Sequence, residues 1–214
     1  MRASFAGLVG VLALSAPAAF AQKFEFGGLG GGSFHFTNKD IRGLRRSASA
    51  GFKNGFSAGF IVGHNMYQHV GGEFRYTYQR HNLKLEGSNL TTDFGGESHA
   101  IHYDFLVHAT ARNAPVRPYV AVGGGVKLFR GTGRETAVQP LGDVAILTKT
   151  NELLGMVSFG AGVKVALGSR AWIRVDVHDY LSPFPKEVIT PVPPGSVSGW
   201  LNNIVPMAGI GVRF

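Results

Sequence analysis

Charged and imidazole side chains recur at every second position in several segments of this sequence. Glu73 and Arg75 alternate with aromatic residues, and Arg174 alternates with isoleucine and valine. A period of two places such residues on one face of a β-strand, opposite the apolar face. Acidic and basic groups on the same face predict ion pairs. The predicted charge network comprises Glu73, Arg75, His102, Asp104, Lys164, Arg174, Asp176 and His178, with Lys127, His108 and Tyr180 as further polar members.

Eight segments carry this alternation and are predicted to be the strands that position the network. Their approximate ranges are 24–36, 54–64, 69–80, 98–111, 117–129, 153–167, 171–181 and 203–214. The connections alternate in length, and the long ones are 37–53, 81–97, 130–152 and 182–202. An even strand number, with short turns and both termini at one end and long loops at the other, is typical of outer-membrane barrels. The sequence therefore predicts an all-β fold, an eight-stranded antiparallel transmembrane β-barrel with short periplasmic turns and long extracellular loops.

A soluble barrel that binds ligands in an apolar interior has the same strand count, and periodicity alone does not say which face meets water. Both charge signs share one face, as an internal ion-pair network requires. Aromatic residues lie near strand ends, where the girdles of a membrane barrel belong, as at Phe24, Phe26 and Trp200. The loop lengths are strongly asymmetric. These three features favour lipid on the outside.

The amino-terminal residues predict export. Met1 and Arg2 precede an apolar run, and Ala19 and Ala21 form a small-residue cleavage site before Gln22. We therefore predict a signal peptide at 1–21 and a barrel domain at 22–214. The chain has no cysteine and a net charge of +8. An exported protein does not meet nucleic acid, so this charge favours outer-membrane lipid and lipopolysaccharide phosphates as partners.

The segments "VRPYVAVGGGVKLF" and "GIGVRF" resemble the small OmpA/OmpX-like outer-membrane β-barrel family. The resemblance covers the layout of the whole mature chain, although its motifs are short. It implies a barrel in the outer membrane of a bacterium. The family's terminal phenylalanine also implies recognition by the outer-membrane assembly machinery, with Phe214, Val212 and Ile210 as the assembly signal. Pro206 lacks an N–H, so we expect a bulge there or regular pairing only after it.

The predicted interior leaves three functions open. Eight strands enclose a space that side chains just fill, so a structural plug of ion pairs is the first interpretation. A narrow ion path, making a small porin-like channel, is the second. The third is an esterase or acyl transferase that modifies lipid A, using His178, Asp179 and Ser182. However, His178 and Asp179 face opposite sides of their strand, and the H-x-S spacing of outer-membrane lipid A deacylases is absent. We therefore predict no enzymatic activity.

Metal binding and phosphate-loop chemistry have weaker support. His102, Asp104 and His108 include good metal ligands, but they lie side by side along one strand instead of converging. The glycine runs do not match a phosphate-binding loop that opens a helix. We predict no metal and no cofactor. A bulge within Gly27–Gly32 would turn Phe34 and Phe36 to the other face of the wall.

The first long loop is cationic, and two interpretations of it remain. It carries one acidic residue, Asp40, among basic residues that are either simply solvated or contact lipopolysaccharide phosphates. The fourth loop, 182–202, is proline-rich and apolar and predicts a semi-rigid cap or contact surface. The expected function is a structural or surface-interaction role, as a monomer, through the extracellular loops. The basic residues of the first loop are Lys39, Arg42, Arg45, Arg46 and Lys53.

Overall fold

The computed structural model describes residues 24–43, 46–87, 89–136 and 138–214. The predicted signal peptide and Arg45 lie outside the described residues. Within the described residues, no helix is long and apolar enough to cross a membrane. The described strands are β1 (Phe24–His35), β2 (Lys39–Arg42), β3 (Ser47–Phe52), β4 (Gly55–Asn65), β5 (Val70–Gly87), β6 (Leu90–His108), β7 (Val116–Gly131), β8 (Ala145–Leu147), β9 (Asn151–Leu167), β10 (Ala171–Pro183), β11 (Ile189–Pro191) and β12 (Trp200–Arg213).

Eight long strands close into a ring of antiparallel neighbours. The order is β1, β4, β5, β6, β7, β9, β10 and β12, and β12 pairs with β1 to close the barrel. Just past the end of β12, the backbone N–H of Phe214 donates to the carbonyl oxygen of Phe24 at 2.9 Å. Closure satisfies the backbone groups that an open sheet would leave unpaired at its edges. The predicted eight-stranded barrel is confirmed.

The barrel wall is apolar outside and charged inside. Phe105, Val175 and Ile210 are exposed over 54%, 65% and 61% of their surface, whereas Glu73 and Arg75 are buried. A soluble protein of this size would bury these apolar side chains, because a continuous apolar belt is unfavourable in water. The same belt is favourable against hydrocarbon. The soluble binding-barrel alternative is therefore wrong.

The connections at the two ends of the barrel differ in length and in the structure that they contain. The turn end carries the connections 66–69, 109–115 and 168–170, together with the described ends of β1 and β12. The loop end carries β2, β3, β8 and β11, which lie outside the ring of eight. There β2 pairs with β3, and β11 pairs with β8. This asymmetry is the one that the connection lengths predict.

All four predicted long loops contain regular structure, since β8 lies within 130–152 and β11 within 182–202. Residues 81–97 continue β5 and β6 as a long hairpin, so the prediction of a loop there is wrong. Leu83, Leu85 and Phe94 keep the inward alternation beyond the length that a membrane requires. Their outward neighbours are polar, so this part of the hairpin lacks the apolar outer face that marks a membrane-crossing strand. Residues 37–53, also predicted as a loop, hold the β2–β3 hairpin.

A β-bulge joins β3 to β4. Both strands pair with β5, with Phe52 opposite Leu83 and Phe56 opposite Arg80. Lys53 and Asn54 together therefore face Asn82, whose carbonyl oxygen accepts from the Lys53 N–H at 2.8 Å. The extra residue shifts the side-chain alternation by one. Phe52 therefore points inward from an even-numbered position, whereas the inward residues of β4 have odd numbers.

The register runs without a bulge through both places where irregularity is predicted. Between β1 and β12 the pairs Gly31–Met207 and Phe34–Ile204 share one register, so the glycine run contains no bulge. Phe34 and Phe36 remain on the outer face with Phe24 and Phe26. Pro206 pairs with Val177 in an unbroken β10–β12 ladder, and β12 starts before it. The expectation of a bulge or late pairing at Pro206 is wrong.

Inward glycines make room for large side chains. A Cβ on Gly27 or Gly211 would overlap the indole ring of Trp172, which is fully buried in the lumen. A Cβ on Gly160 would overlap the ring of His178 in the same way. Much of the glycine in these strands is thus explained by the width of the lumen.

Candidate functional site: the barrel lumen and its cap

Ion pairs cross the lumen between opposite strands. Glu73 and Arg75 lie on β5, and Arg174 and Asp176 lie on β10, four strands away in the ring. Arg174 Nη1 is 2.6 Å from Glu73 Oε2, and Arg75 Nη2 is 2.8 Å from Asp176 Oδ2. Each carboxylate also contacts the arginine beside it on its own strand. Two arginines and two carboxylates therefore form a compact, balanced cluster across the lumen.

Neighbouring side chains extend this cluster. The hydroxyl of Tyr119 donates to Asp176 Oδ2 at 2.9 Å and is also hydrogen-bonded by Arg174. Lys164 Nζ donates to Glu25 Oε2 at 2.6 Å and lies 4.0 Å from Glu73. Buried charges with this many partners avoid the several kcal/mol that an isolated buried ion costs. The arrangement is that of a rigid ionic plug.

A second layer of the lumen is built around histidine and tyrosine. His102 contacts Asp104 Oδ1 through Nδ1 at 3.0 Å and the Tyr180 hydroxyl through Nε2 at 3.2 Å. Both ring nitrogens of His102 are thus occupied by protein groups, and its side chain offers no ready lone pair for a metal ion. His108 lies elsewhere, tilted against Tyr119 with ring centroids 5.5 Å apart. The structure joins His102 to Asp104 but leaves His108 apart from them.

The geometry around His178 does not form a hydrolase triad. Ser158 Oγ is 3.1 Å from His178 Nδ1, and Asp104 Oδ2 is 3.5 Å from the same nitrogen. A catalytic histidine needs the serine on one nitrogen and the acid on the other. The predicted candidate Asp179 faces outward and accepts a hydrogen bond from Asn202 at 3.1 Å. The groups considered for lipid modification are not assembled into a catalytic arrangement.

Lys127 lies above these layers without a carboxylate partner within 4 Å among the described residues. Its Nζ donates to Asn203 Oδ1 at 2.7 Å and sits 5.0 Å from the ring centre of Phe129. Cation–π contact offsets part of the cost of burying the ammonium. The lumen thus changes from ionic to apolar at this level.

An apolar cluster, here called the cap, fills the loop end above Lys127. Phe52 packs against Phe129 and Phe184, with ring centroids 5.6 Å and 6.5 Å apart. Burying each large apolar side chain contributes about 1.5–3 kcal/mol, so the cap is a strongly stabilised structure. The cap comprises Ile41, Ala48, Ala50, Phe52, Leu83, Leu85, Phe94, Phe129, Leu141, Val144, Ala145, Leu147, Phe184, Val188, Ile189, Val197 and Leu201.

Four lumen side chains are absent from the charge network predicted from the sequence. Glu25 lies between the outward-facing Phe24 and Phe26, so strict alternation would have placed it inside. Arg117 and Tyr119 alternate with outward valines and a proline in β7, so the same alternation would have placed them inside. Asn65 has an odd number, like the other inward residues of β4, so alternation would have placed it inside as well. All four are buried in the structure.

Comparison with known proteins agrees with this geometry. The family model described as an outer membrane protein beta-barrel domain matches residues 6–182. This chain belongs to that family. It is a bacterial outer-membrane protein, so its turn end faces the periplasm and its loop end faces the exterior. No curated protein sequence matches this barrel at a significant level.

Solved outer-membrane barrels resemble this one in fold. Neisserial surface protein A is 12% identical, with 89% of this chain and 97% of that chain covered and a TM-score of 0.51. The amino-terminal barrel domain of Pseudomonas aeruginosa OprF is 13% identical, with coverage of 91% and 98% and a TM-score of 0.49. Ail of Yersinia pestis is 13% identical, with coverage of 90% and 99% and a TM-score of 0.46. At these identities the likeness concerns the fold alone.

The predicted cationic residues of this outer-membrane barrel are spread over the extracellular end. Arg46 lies 3.8 Å from Asp143, and Lys53 lies 2.5 Å from Asp93. Lys39 and Arg42 lie on β2, and among the described residues no carboxylate is within 4 Å of either. Arg46 and Lys53 are therefore partly neutralised, whereas Lys39 and Arg42 are not. The four described residues do not form one uniform cationic patch.

The predicted assembly signal lies on the closing strand. Ile210 and Val212 face outward on β12, and Phe214 follows the strand at the turn end. All three side chains are exposed on the face that meets lipid. The role of these residues in assembly stays a prediction.

Proposed function

We propose that this protein is a closed, non-conducting outer-membrane barrel that presents a folded extracellular cap for surface interactions. The observation that carries the proposal is the continuous filling of the lumen. Ion pairs between Glu73, Arg75, Arg174 and Asp176 join opposite strands. Above them the cap occupies the extracellular mouth with apolar side chains. Ion conduction would require both layers to open, which would expose unpaired buried charges at high cost.

Planar-bilayer recording tests the closed state. We expect the purified barrel to give no discrete conductance steps under conditions in which a general porin, used as the positive control, conducts. Regular steps in the wild-type protein would favour the small-channel alternative. A variant with Phe52→Ala and Phe129→Ala loosens the cap alone. If the ionic layer below is intact, this variant also remains closed.

The extracellular tip offers a contact surface beside the cap. An open cleft of about 450 Å³ lies between the β5–β6 hairpin and the chain before β8, lined in part by Leu90, Val138 and Ile146. These three side chains are exposed, and Val138 is exposed over 84% of its surface. Exposed apolar groups on a rigid support favour a protein or glycolipid contact role.

Lipopolysaccharide is the surface partner that the charges favour. Lys39 and Arg42 lie on β2, and among the described residues no carboxylate is within 4 Å of either side chain's charged group. Guanidinium and ammonium groups near an anionic surface contribute about 1 kcal/mol each. We expect the double substitution Lys39→Gln and Arg42→Gln to weaken lipopolysaccharide binding about thirtyfold.

Retention on immobilised lipopolysaccharide at low salt measures this effect. The matched control is Lys84→Gln, because Lys84 is also extracellular but lies 2.5 Å from Glu86. An equal loss of binding free energy per charge removed would mean that binding depends only on net charge. A lipid A profile from cells with and without the protein tests the enzymatic alternative, and an unchanged profile is expected.

A further inference from the structure

The periplasmic end of the barrel carries an uncompensated positive charge. The three turns 66–69, 109–115 and 168–170 contain two arginines, Arg112 and Arg170, and no acidic residue. At the same level, Arg117 points into the lumen and Arg213 lies near the end of β12. Extracellular lysines and arginines, in contrast, have several carboxylates among them. An excess of like charge at one end must be met by an anion from outside the protein or by solvent.

Asn65 and Glu25 organise this excess into a cluster. Arg117 Nη1 donates to Asn65 Oδ1 at 3.1 Å, and Arg112 Nη2 donates to the Asn65 carbonyl oxygen at 3.2 Å. Asn65 Nδ2 in turn donates to Glu25 at 3.0 Å. Arg213 Nε lies 3.9 Å from the same carboxylate. Glu25 is already bonded to Lys164 and cannot neutralise three arginines as well.

The guanidinium group of Arg117 presents an empty bidentate edge. Its Nε and Nη2 are buried and have no hydrogen-bond partner among the described residues, while Nη1 donates to Asn65. These two nitrogens form the edge with which arginine grips a phosphate or carboxylate through parallel hydrogen bonds. Both ring nitrogens of the buried His108 are also without a partner, as is Arg112 Nε. Unpaired buried donors of this kind are costly unless a ligand or water meets them.

We propose that the periplasmic mouth of the lumen is a phosphate-binding site formed by Arg117, Arg112, Arg213 and His108. The unpaired edge of Arg117 supplies two parallel donors that match two oxygens of a phosphate. A phosphate carries up to two negative charges, so it matches this excess of arginines better than a carboxylate does. The net positive charge favours an anion over water alone. The phosphate belongs either to free inorganic phosphate or to a phospholipid headgroup of the periplasmic leaflet.

A titration of the wild-type barrel tests the site. The protein is folded in a maltoside detergent, which carries no phosphate, and the ¹⁵N–¹H signal of the Arg117 Nε–H is followed as inorganic phosphate is added. We expect a saturable shift that sodium chloride at equal ionic strength does not produce. The substitution Arg117→Met should lower the apparent affinity about tenfold or more, as expected for loss of charge-assisted hydrogen bonds. The matched control Arg170→Met removes one positive charge outside the proposed set of ligands and should lower the affinity much less than Arg117→Met.

Lipid nanodiscs distinguish the two sources. A shifted Arg117 signal in phosphatidylglycerol discs without added phosphate, relative to discs of a galactolipid without phosphate, identifies the lipid headgroup as the ligand. A response only to added phosphate identifies the free anion. No saturable response to either source, or an equal response to chloride, would overturn the proposal. Because the wild-type titration decides this result, it holds even if the Arg117→Met barrel does not fold.

Discussion

The substitution Glu73→Gln tests whether the ion pairs across the lumen stabilise the barrel. Glu73 is buried and accepts hydrogen bonds from Arg174 at 2.6 Å and from Arg75 at 3.1 Å. Glutamine keeps the shape of the side chain but removes its charge. Two arginines then share Asp176, and one positive charge is left without compensation in the lumen. Breaking a buried pair in this way costs about 3–5 kcal/mol, so we expect a loss near the lower value because Asp176 remains.

Urea unfolding of the refolded barrel in lipid vesicles measures this loss. Folded barrels of this type are expected to migrate differently from unfolded chains on detergent gels. In a Trp200→Phe background, the fluorescence of Trp172 reports the lumen independently. The matched control is Glu86→Gln, because Glu86 lies 2.5 Å from Lys84 in an exposed pair. Exposed pairs contribute about 0–1 kcal/mol. If Glu73→Gln destabilises the barrel no more than Glu86→Gln, the lumen network does not stabilise the fold.

A double variant separates charge balance from simple loss of contacts. Arg174→Met alone leaves two carboxylates facing Arg75, whereas Arg174→Met combined with Glu73→Gln leaves Arg75 and Asp176 as a balanced pair. The combined loss of stability should therefore be smaller than the sum of the single losses, by about 1–3 kcal/mol. Strict additivity would show that Arg174 and Glu73 are not energetically coupled.

Two further predictions concern packing. Phe129→Ala should lower the free energy of unfolding in urea by about 3–5 kcal/mol, because Phe129 is fully buried in the cap. The control Val138→Ala changes an exposed position and should have almost no effect. Equal losses in the two variants would contradict the packing of the cap. Gly211→Val should displace the Trp172 indole and shift its fluorescence, whereas Gly28→Val, where a Cβ meets no atom within 4 Å, should not. A normal spectrum for Gly211→Val would contradict the close contact.

Strand prediction succeeded where one face of the strand meets lipid. In β6, apolar residues alternate with polar ones from Ile101 to Phe105, and each residue lies on its expected face. It failed beyond the membrane, where the outer face of the β5–β6 hairpin is polar and the inner face carries Leu83 and Leu85. There the apolar and polar faces are exchanged, because water replaces lipid outside and the apolar cap replaces the charge network inside. The bulge at Lys53–Asn54 also left no signal, since neither residue is glycine.

The sequence indicated which charged residues share one strand face, but not which partners they contact. Alternation alone placed Glu73 and Arg75 on one face with both charge signs. It could not show that Arg75 meets Asp176, because the two lie 101 positions apart in sequence and on opposite strands of the ring. Nor could it show that Glu25 joins Lys164, since strand order and register together decide which inward side chains share a level.

The sequence by itself determined the strand count, the face of each membrane-crossing strand, the asymmetry of the connections and the presence of a charged interior. These properties are local, since they follow from a period of two and from turn residues near one another in the chain. Only the tertiary structure decided that the loop segments converge into an apolar cap and that the buried charges pair across the lumen. It also decided that the Arg117 edge remains without a partner. Each of these depends on barrel closure and strand stagger, which bring distant residues to the same height in one narrow space.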